Sequence, residues 1–417
     1  MEPTPLPVPL KERVELASSE WLAAARTYLE PRVATNAGRL RGTQLTVCEV
    51  YTNPPPHLGY GDQVAFHIRV DDGVLTVGPG EVDDVDMKVR ADYNQASIAV
   101  TAVWEQVPKR RARVLRELKH RAGGDVFEVK GGLDPASPVT EVLSGLHDHM
   151  ARRTITNPDL AHRATHLGLD RRLDDLSEQG YTVLENAFSN DLADELGDEL
   201  SRLIGQGPKP NLTAAMLLAR GEIFEEVAVH PWVLTLAEHL VGRGCTLGQS
   251  LAFRKAKGID THHLHSDYAL IPEPYPPHCL NVTTVWALED FTETSGPTVV
   301  VPRSFKHNRF PTAGSAEDAV KVIMPKGSVA LWHGATWHGA AVRDDQGDRL
   351  TLHNTYLRLY ARTFDCYLDI DPAVLERNPP AVTTLCGLDD MFEKNSFNGT
   401  DRERLNYARA NYSATGF

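Results

Sequence analysis

Apolar residues in the first third of the chain recur with two periods. Val64, Phe66, Ile68 and Val70 alternate with Ala65, His67 and Arg69, the pattern of a half-buried strand. Asp71-Asp72-Gly73 then reads as a hairpin turn, and Val74-Leu75-Thr76-Val77 as the returning strand. Val85, Met87, Val89 and Ala91 alternate with Asp86, Lys88, Arg90 and Asp92, which predicts another strand. Helical patterns flank these strands at Glu15–Glu30, Arg111–Arg121 and Val139–Arg153. Period-two strands packed on helices predict an α+β domain over residues 1–154. Ile155–His166, with Asn157-Pro158, reads as a connecting segment, giving a linker over 155–167 and a second domain over 168–417.

The second region has a different pattern. Leu192, Leu196, Leu200 and Leu203 form one helical stripe, with Ser189 or Asn190 placed to cap it. Leu251-Ala252-Phe253-Arg254 and Asn281–Leu288 read as strands on either side of a Pro-rich loop, Tyr268–Pro277. Trp337–Val342 is strand-like, and the polar turn Arg343–Asp348 leads into a strand over Arg349–Tyr360. On that last strand Arg349, Thr351, His353 and Thr355 share one face, and Leu350, Leu352 and Tyr356 the other. Asn281 and Thr283 likewise share a face, opposite Val282 and Trp286. A polar strand face in an ordinary antiparallel sheet is solvated. Opposite a metal site it lines a cavity.

The candidate chemistry sits between these strands. His265-Ser266-Asp267 is an H-x-D tripeptide, answered by His338-Gly339 and then Arg349. With 17 His in the chain, roughly one such tripeptide arises by chance, and His265 is the only His followed two residues later by Asp. Two imidazoles and a carboxylate occupy one face of an octahedral iron(II) and leave the other positions open. An Arg just beyond the distal His offers a planar fork of donors to the far carboxylate of a dicarboxylate cosubstrate. The residues thus point to iron(II) on His265, Asp267 and His338, with 2-oxoglutarate and O₂ as cosubstrates. Arg349 binds the 5-carboxylate, Thr351 on the same face is a second donor, and Asn281 and Thr283 line the same pocket. His147 and His149 flank Asp148 but fall on different faces of a helix, which argues against a second metal site there.

Composition narrows the partners. The formal net charge of −13 argues against a phosphate-backbone partner, and Lys109-Arg110-Arg111-Ala112-Arg113 reads as the solvated start of a helix. Five widely spaced Cys show neither zinc nor disulfide spacing, which points to a reducing cytoplasm. There is no 18-residue apolar run and no charged, apolar leader pattern at the start. The expected partner is a small molecule, lipophilic or carrier-bound; nucleic acid and a membrane span are not expected.

From about Leu176 to Arg362 the chain resembles the phytanoyl-CoA dioxygenase family. The resemblance lies in Gly180-Tyr181-Thr182-Val183-Leu184-Glu185, in His230-Pro231-Trp232-Val233-Leu234, in the run from Leu288 through Gly296 to Pro302, and in the His-x-Asp and His-Gly motifs. It implies a double-stranded β-helix (jelly roll) with helices outside. It also favours His338 over His333 as the distal ligand, because Arg349 comes eleven residues after His338. Two departures stand out: Pro302-Arg303-Ser304-Phe305-Lys306-His307 replaces the family's Pro-Gly-Ser-His, and Ala340 stands where the family often has Ser. Residues from about Glu15 to Thr154 resemble the sterol carrier protein 2 fold, through Ile68–Leu75, Val85–Tyr93 and Phe127–Gly132. That resemblance implies an apolar tunnel for a lipid; the alternative is a packing or dimerisation module.

Together these imply an iron(II)- and 2-oxoglutarate-dependent dioxygenase, a hydroxylase of an unactivated C–H bond that releases succinate and CO₂. The carboxylate at Asp267 sets it apart from halogenases of the superfamily, which have Ala or Gly there. Desaturation, epoxidation and cyclisation are alternative outcomes of the same chemistry. A lipid carrier with an inactive oxygenase domain is the alternative of another class.

Overall fold

The computed structural model describes residues 8–205, 213–258 and 263–389. The chain divides into two compact units. Among the described residues, the first comprises 8–167 with 371–383 and Asp389, and the second takes the remainder.

The first unit is α+β. Its strands are β1 (Gln44–Thr52), β2 (Gln63–Asp71), β3 (Val74–Pro79), β4 (Met87–Asp92) and β5 (Glu128–Gly131). They form one sheet in the order β3-β2-β1-β4-β5. β1 and β4 run parallel, and the other pairs are antiparallel. The β2–β3 hairpin turns on Asp72 and Gly73, both with positive φ (48° and 79°), as a two-residue turn between right-twisted strands requires. Ser18 caps the helix Ser19–Asn36 by accepting from Trp21 N, and Trp21, Leu22, Ala25 and Leu29 pack on Tyr51, Phe66, Ile68 and Val77.

Three expectations for this unit change. Val139–Arg153 is two helices, Pro138–Leu143 and Leu146–Ala151, broken at Gly145 with φ 76°. The segment read as a connector contains the helix Leu160–His166, capped by Asp159 and buried through Leu160, Arg163 and Ala164. The basic start of the second predicted helix is solvated only at Lys109, Arg111 and Ala112. Arg110 and Arg113 are buried, and Arg110 Nη1 donates to the carbonyls of Val103 and Arg377. A burial stripe falling on Arg positions is invisible to hydropathy, because the guanidinium is satisfied by carbonyls distant in sequence.

The second unit begins with β6 (Tyr181–Leu184) and continues with β7 (Thr213–Ala215), β8 (Thr246–Lys255), β9 (Asn281–Ala287), β10 (Thr298–Val300), β11 (Val320–Lys321), β12 (Val329–His333), β13 (His338–Ala340) and β14 (Arg349–Leu357). One sheet has the order β6-β12-β9-β14-β8-β7 and the other the order β11-β10-β13. All pairs are antiparallel. Val285, Ala287, Ala330 and Trp332 of the large sheet share a core with Val300 of the small one, along with Phe291, Val322 and Met324. Two antiparallel sheets over one core is the layout expected of a jelly roll. The helix Asn190–Ile204 is capped by Ser189, whose hydroxyl accepts from Leu192 N, and it buries Leu192, Leu196 and Leu200 of its predicted stripe, with Ile204 buried in place of Leu203. Among the described residues, no helix is long and apolar enough to cross a membrane.

Candidate metal centre and cosubstrate pocket

His265 and His338 face each other as an antiparallel bridge. Each backbone N–H donates to the other residue's carbonyl at 2.8 Å. That pairing extends the small sheet beyond β13 and sets the two imidazoles side by side, with ring centroids 4.3 Å apart. Asp267 lies two residues on, in the turn that follows the bridge. Its N–H donates to Gly334 O at 3.0 Å. The ligand atoms of His265, Asp267 and His338 all lie within 4.8 Å of one another. His338 Nε2 stands 3.5 Å from Asp267 Oδ1. Two donors at right angles, each roughly 2.1 Å from one ion, would stand about 3 Å apart, so a small inward shift completes the set.

The imidazoles are pre-oriented. His265 Nδ1 is 2.8 Å from the carbonyl of His263, and His338 Nδ1 is 3.0 Å from that of Thr336. A carbonyl accepts only, so each Nδ1 carries the proton and each Nε2 is left as a lone pair for a metal. The Asp267 carboxylate is held as well. Its Oδ2 accepts from Thr283 Oγ1 at 2.7 Å and from Asn281 Nδ2 at 3.3 Å. The pair expected to line the cosubstrate pocket therefore contacts the metal carboxylate. Thr283 in turn is 3.1 Å from Thr355 Oγ1 on β14, where the two residues are cross-strand partners.

His333 is built differently. Its Nδ1 accepts from Ala335 N at 3.0 Å, and its ring packs against Tyr268 and Phe305. Burial pushes its pKa down to about 4, so it is neutral in the fold. It belongs to no cluster of metal-ligating groups among the described residues.

Arg349 opens β14, on the same face as Thr351 and Thr355. It is 4% exposed, yet neither its Nε nor its Nη1 has a hydrogen-bond partner among the described residues. The guanidinium lies over the Phe291 ring, 4.2 Å from its centroid. Burial lowers its pKa to about 10, partly offset by the Glu289 carboxylate, so it keeps its charge at neutral pH. A buried cation with two orphaned donors is a site for an anion. Arg343, the other cation nearby, is committed elsewhere: it donates to the carbonyls of Ser295 and Gly347 at 3.0 and 3.1 Å and holds its own turn together. Thr351 is buried, with its hydroxyl 3.1 Å from His353 Nε2. His147 and His149 are structural, stacked on Trp104 and Tyr28, while Asp148 accepts from Trp104 N and Glu105 N.

The structure brings together His265, Asp267 and His338, which the sequence singles out, and puts beside them residues that the sequence does not. Thr355 was read only as part of a polar face. Gly334 gave no signal at all, although a Cβ there would stand 2.0 Å from Asn281 Oδ1 and 2.6 Å from Tyr268 Cε1.

Residues 176–349 match the family model described as phytanoyl-CoA dioxygenase. The dioxygenase trt7 of Aspergillus terreus is 24% identical over 182 residues, 42% of this chain and 63% of that protein. The dioxygenase himG of Aspergillus japonicus is 22% identical over 261 residues, 54% of this chain and 74% of that protein. The chain thus spans less than two thirds of the length of the first of these relatives. Among solved structures, HygX from Streptomyces hygroscopicus with nickel and 2-oxoglutarate bound is 19% identical, at a TM-score of 0.42, over 47% of this chain and 89% of that one. The C-terminal region therefore carries the sequence pattern of the phytanoyl-CoA dioxygenase family. Within that span His265, Asp267 and His338 form the group that could hold a metal ion.

Proposed function

We propose that the protein is an iron(II)- and 2-oxoglutarate-dependent dioxygenase that hydroxylates a C–H bond of a small, lipophilic or carrier-bound molecule. The observation that carries this reading is the pairing of a three-ligand centre with a buried, unpartnered guanidinium on the strand that supports its carboxylate. His265, Asp267 and His338 would hold the iron, and Arg349 the 5-carboxylate of 2-oxoglutarate, with Thr351 beside it. Iron and 2-oxoglutarate supply an oxidant for unactivated C–H bonds, with succinate and CO₂ as coproducts.

The chain's own work is positional. The carbonyls of His263 and Thr336 keep both imidazoles in the metal-binding tautomer. Thr283 and Asn281 hold one carboxylate oxygen of Asp267. Phe291 and the apolar cluster around Trp332 keep water away from the Arg349 side of the pocket, which strengthens its hold on an anion. Arg349 serves better here than Lys, because its fork matches a carboxylate in two bonds. The Asp267 carboxylate fills the place that a halogenase leaves open, which favours hydroxylation.

The first unit, with helices over a five-stranded sheet, is assigned the sterol-carrier-like role of presenting a lipophilic substrate. Domain limits of 1–154 and 168–417 belong to the same proposal. Helix Leu160–His166 is buried and residues 371–383 cluster with the first unit, so a fragment of residues 1–154 would lack two of that unit's own elements.

The test is anaerobic addition of iron(II) and 2-oxoglutarate. The expected result is a weak visible charge-transfer band near roughly 500 nm, followed by O₂-dependent succinate formation. A protein that gives no band, and whose succinate yield is unaffected by Arg349→Ala, would overturn the assignment. An inactive carrier would fail the same test while still binding lipid.

A further inference from the structure

We propose that Thr283 is a positioning residue that holds Asp267 as a one-oxygen metal ligand, with Thr355 setting the direction of its hydroxyl. The inference rests on the metal centre assigned above and goes beyond its ligands.

The argument is one of proton counting. A carboxylate only accepts, so the 2.7 Å contact between Thr283 Oγ1 and Asp267 Oδ2 is a bond in which Thr283 donates. A hydroxyl has one proton. Having given it to Asp267, Thr283 must accept in its 3.1 Å contact with Thr355 Oγ1, so Thr355 is the donor there. The chain therefore runs one way, from Thr355 to Thr283 to Asp267. Asn281 Nδ2 adds a second, longer bond to the same Oδ2 at 3.3 Å. Both bonds fall on Oδ2, whereas Oδ1 is the oxygen that faces His338 Nε2 at 3.5 Å.

The consequence concerns coordination number. An octahedral ion has six positions, and one atom from each of three residues fills three. A cosubstrate bound through a carboxylate and a keto oxygen fills two more, leaving one for O₂. If Asp267 offered both oxygens, that last position would be lost. Hydrogen bonds to Oδ2 oppose this, because they compete with the ion for that oxygen's lone pairs. The placement is also rigid: Thr283 and Thr355 are cross-strand partners on β9 and β14, strands with neighbours on both sides.

The test uses the full-length, metal-free protein and Mn(II) alone as the probe, titrated calorimetrically. Thr283→Val should weaken Mn(II) binding by on the order of 10-fold, the usual effect of losing a partner behind a metal ligand. Thr283→Ser should restore it, since the hydroxyl is what matters. Thr355→Val should cost less. Adding Thr283→Val to Asp267→Ala should weaken binding no further, because the hydroxyl then has no carboxylate to hold. In turnover, Thr283→Val should lower kcat while leaving the KM for 2-oxoglutarate near wild type. Wild-type Mn(II) affinity in Thr283→Val, or a Thr283→Ser variant as weak as Thr283→Val, would overturn the proposal. Should Thr283→Val fail to fold, Thr355→Val decides: weakened Mn(II) binding supports the relay, and unchanged binding refutes it. If Asp267→Ala itself leaves Mn(II) binding intact, the metal centre is misassigned, and the role of Thr283 falls with it.

Discussion

The two units bury polar side chains in their sheets, but to different ends. In the first, Glu49 stands on β1 two residues from Tyr51, and the Tyr51 hydroxyl donates to its carboxylate. Asp148 is closed in the same way, by two backbone N–H groups at 2.8 Å. In the second, the polar face of β14 leads through Thr355 and Thr283 to Asp267 at one end, and at the other to Arg349 with two donors unspent. The contrast separates structure from function. A buried polar group whose partners lie within its own fold stabilises that fold. A buried cation that has paid its desolvation cost and still lacks partners is waiting for a ligand.

The largest effect should come from the metal centre. His265→Ala, Asp267→Ala or His338→Ala is expected to abolish succinate formation, since two ligands hold iron(II) poorly. Glu49→Gln in the first unit should leave Mn(II) affinity unchanged. Calorimetric titration of the four variants checks both halves. An Asp267→Ala variant that binds Mn(II) as tightly as wild type would erase the distinction between the units.

Next is Arg349. Its replacement by Ala should raise the 2-oxoglutarate concentration needed for half-maximal succinate formation by on the order of 10²-fold, through loss of a charge-assisted bidentate bond. Arg349→Lys should recover only part of this. Arg343→Ala should instead lower thermal stability, since its guanidinium braces the carbonyls of Ser295 and Gly347. Unchanged cosubstrate affinity in Arg349→Ala, with a large change in Arg343→Ala, would reverse the two roles.

How far the sequence was legible follows the same divide. The alternation in β2 and the stripe Leu192-Leu196-Leu200 were readable because burial there follows hydropathy, whereas β4 is half-buried on both faces and β14 buries Arg349 and Thr351 on its polar face. The His265-Ser266-Asp267 motif was readable because a metal site imposes residue types at short spacing. Arg110 and the helix Leu160–His166 were not readable, since their burial depends on partners distant in the chain. Nor was the attachment of Thr283 to Asp267, which needs the register of β9 against β14 and the path of the loop from Asp267 to Asn281. Face assignment put Thr283 near the site; only the fold says which group it touches.

A smaller effect should follow from Gly334. A Cβ at this position would meet Asn281 Oδ1 at 2.0 Å and Tyr268 Cε1 at 2.6 Å. Both neighbours are side chains, so the site can give, but the amide that must move is one that holds Asp267. Gly334→Ala should cost roughly 1–3 kcal/mol, as overpacking does, and should also weaken Mn(II) binding. Loss of stability with wild-type metal affinity would show that Asn281 matters for packing alone.

The smallest effect, and the finest test of the contrast, is in pH dependence. Burial lowers the pKa of His333 in the second unit to about 4, below its ordinary 6.5. Between those values the unfolded chain binds the proton and the folded one does not, so stability rises with pH across roughly 4 to 6.5 and levels off above. Burial raises the pKa of Glu49 in the first unit from its ordinary 4.5, with the Tyr51 hydroxyl opposing. Here the folded state binds the proton more tightly, so stability falls as pH rises from about 4.5 through the raised value. The two slopes have opposite signs. His333→Gln should flatten the rise and Glu49→Gln the fall, each measured by the denaturation midpoint as a function of pH. If both substitutions bent the profile in the same direction, the opposite signs of the two shifts would be wrong.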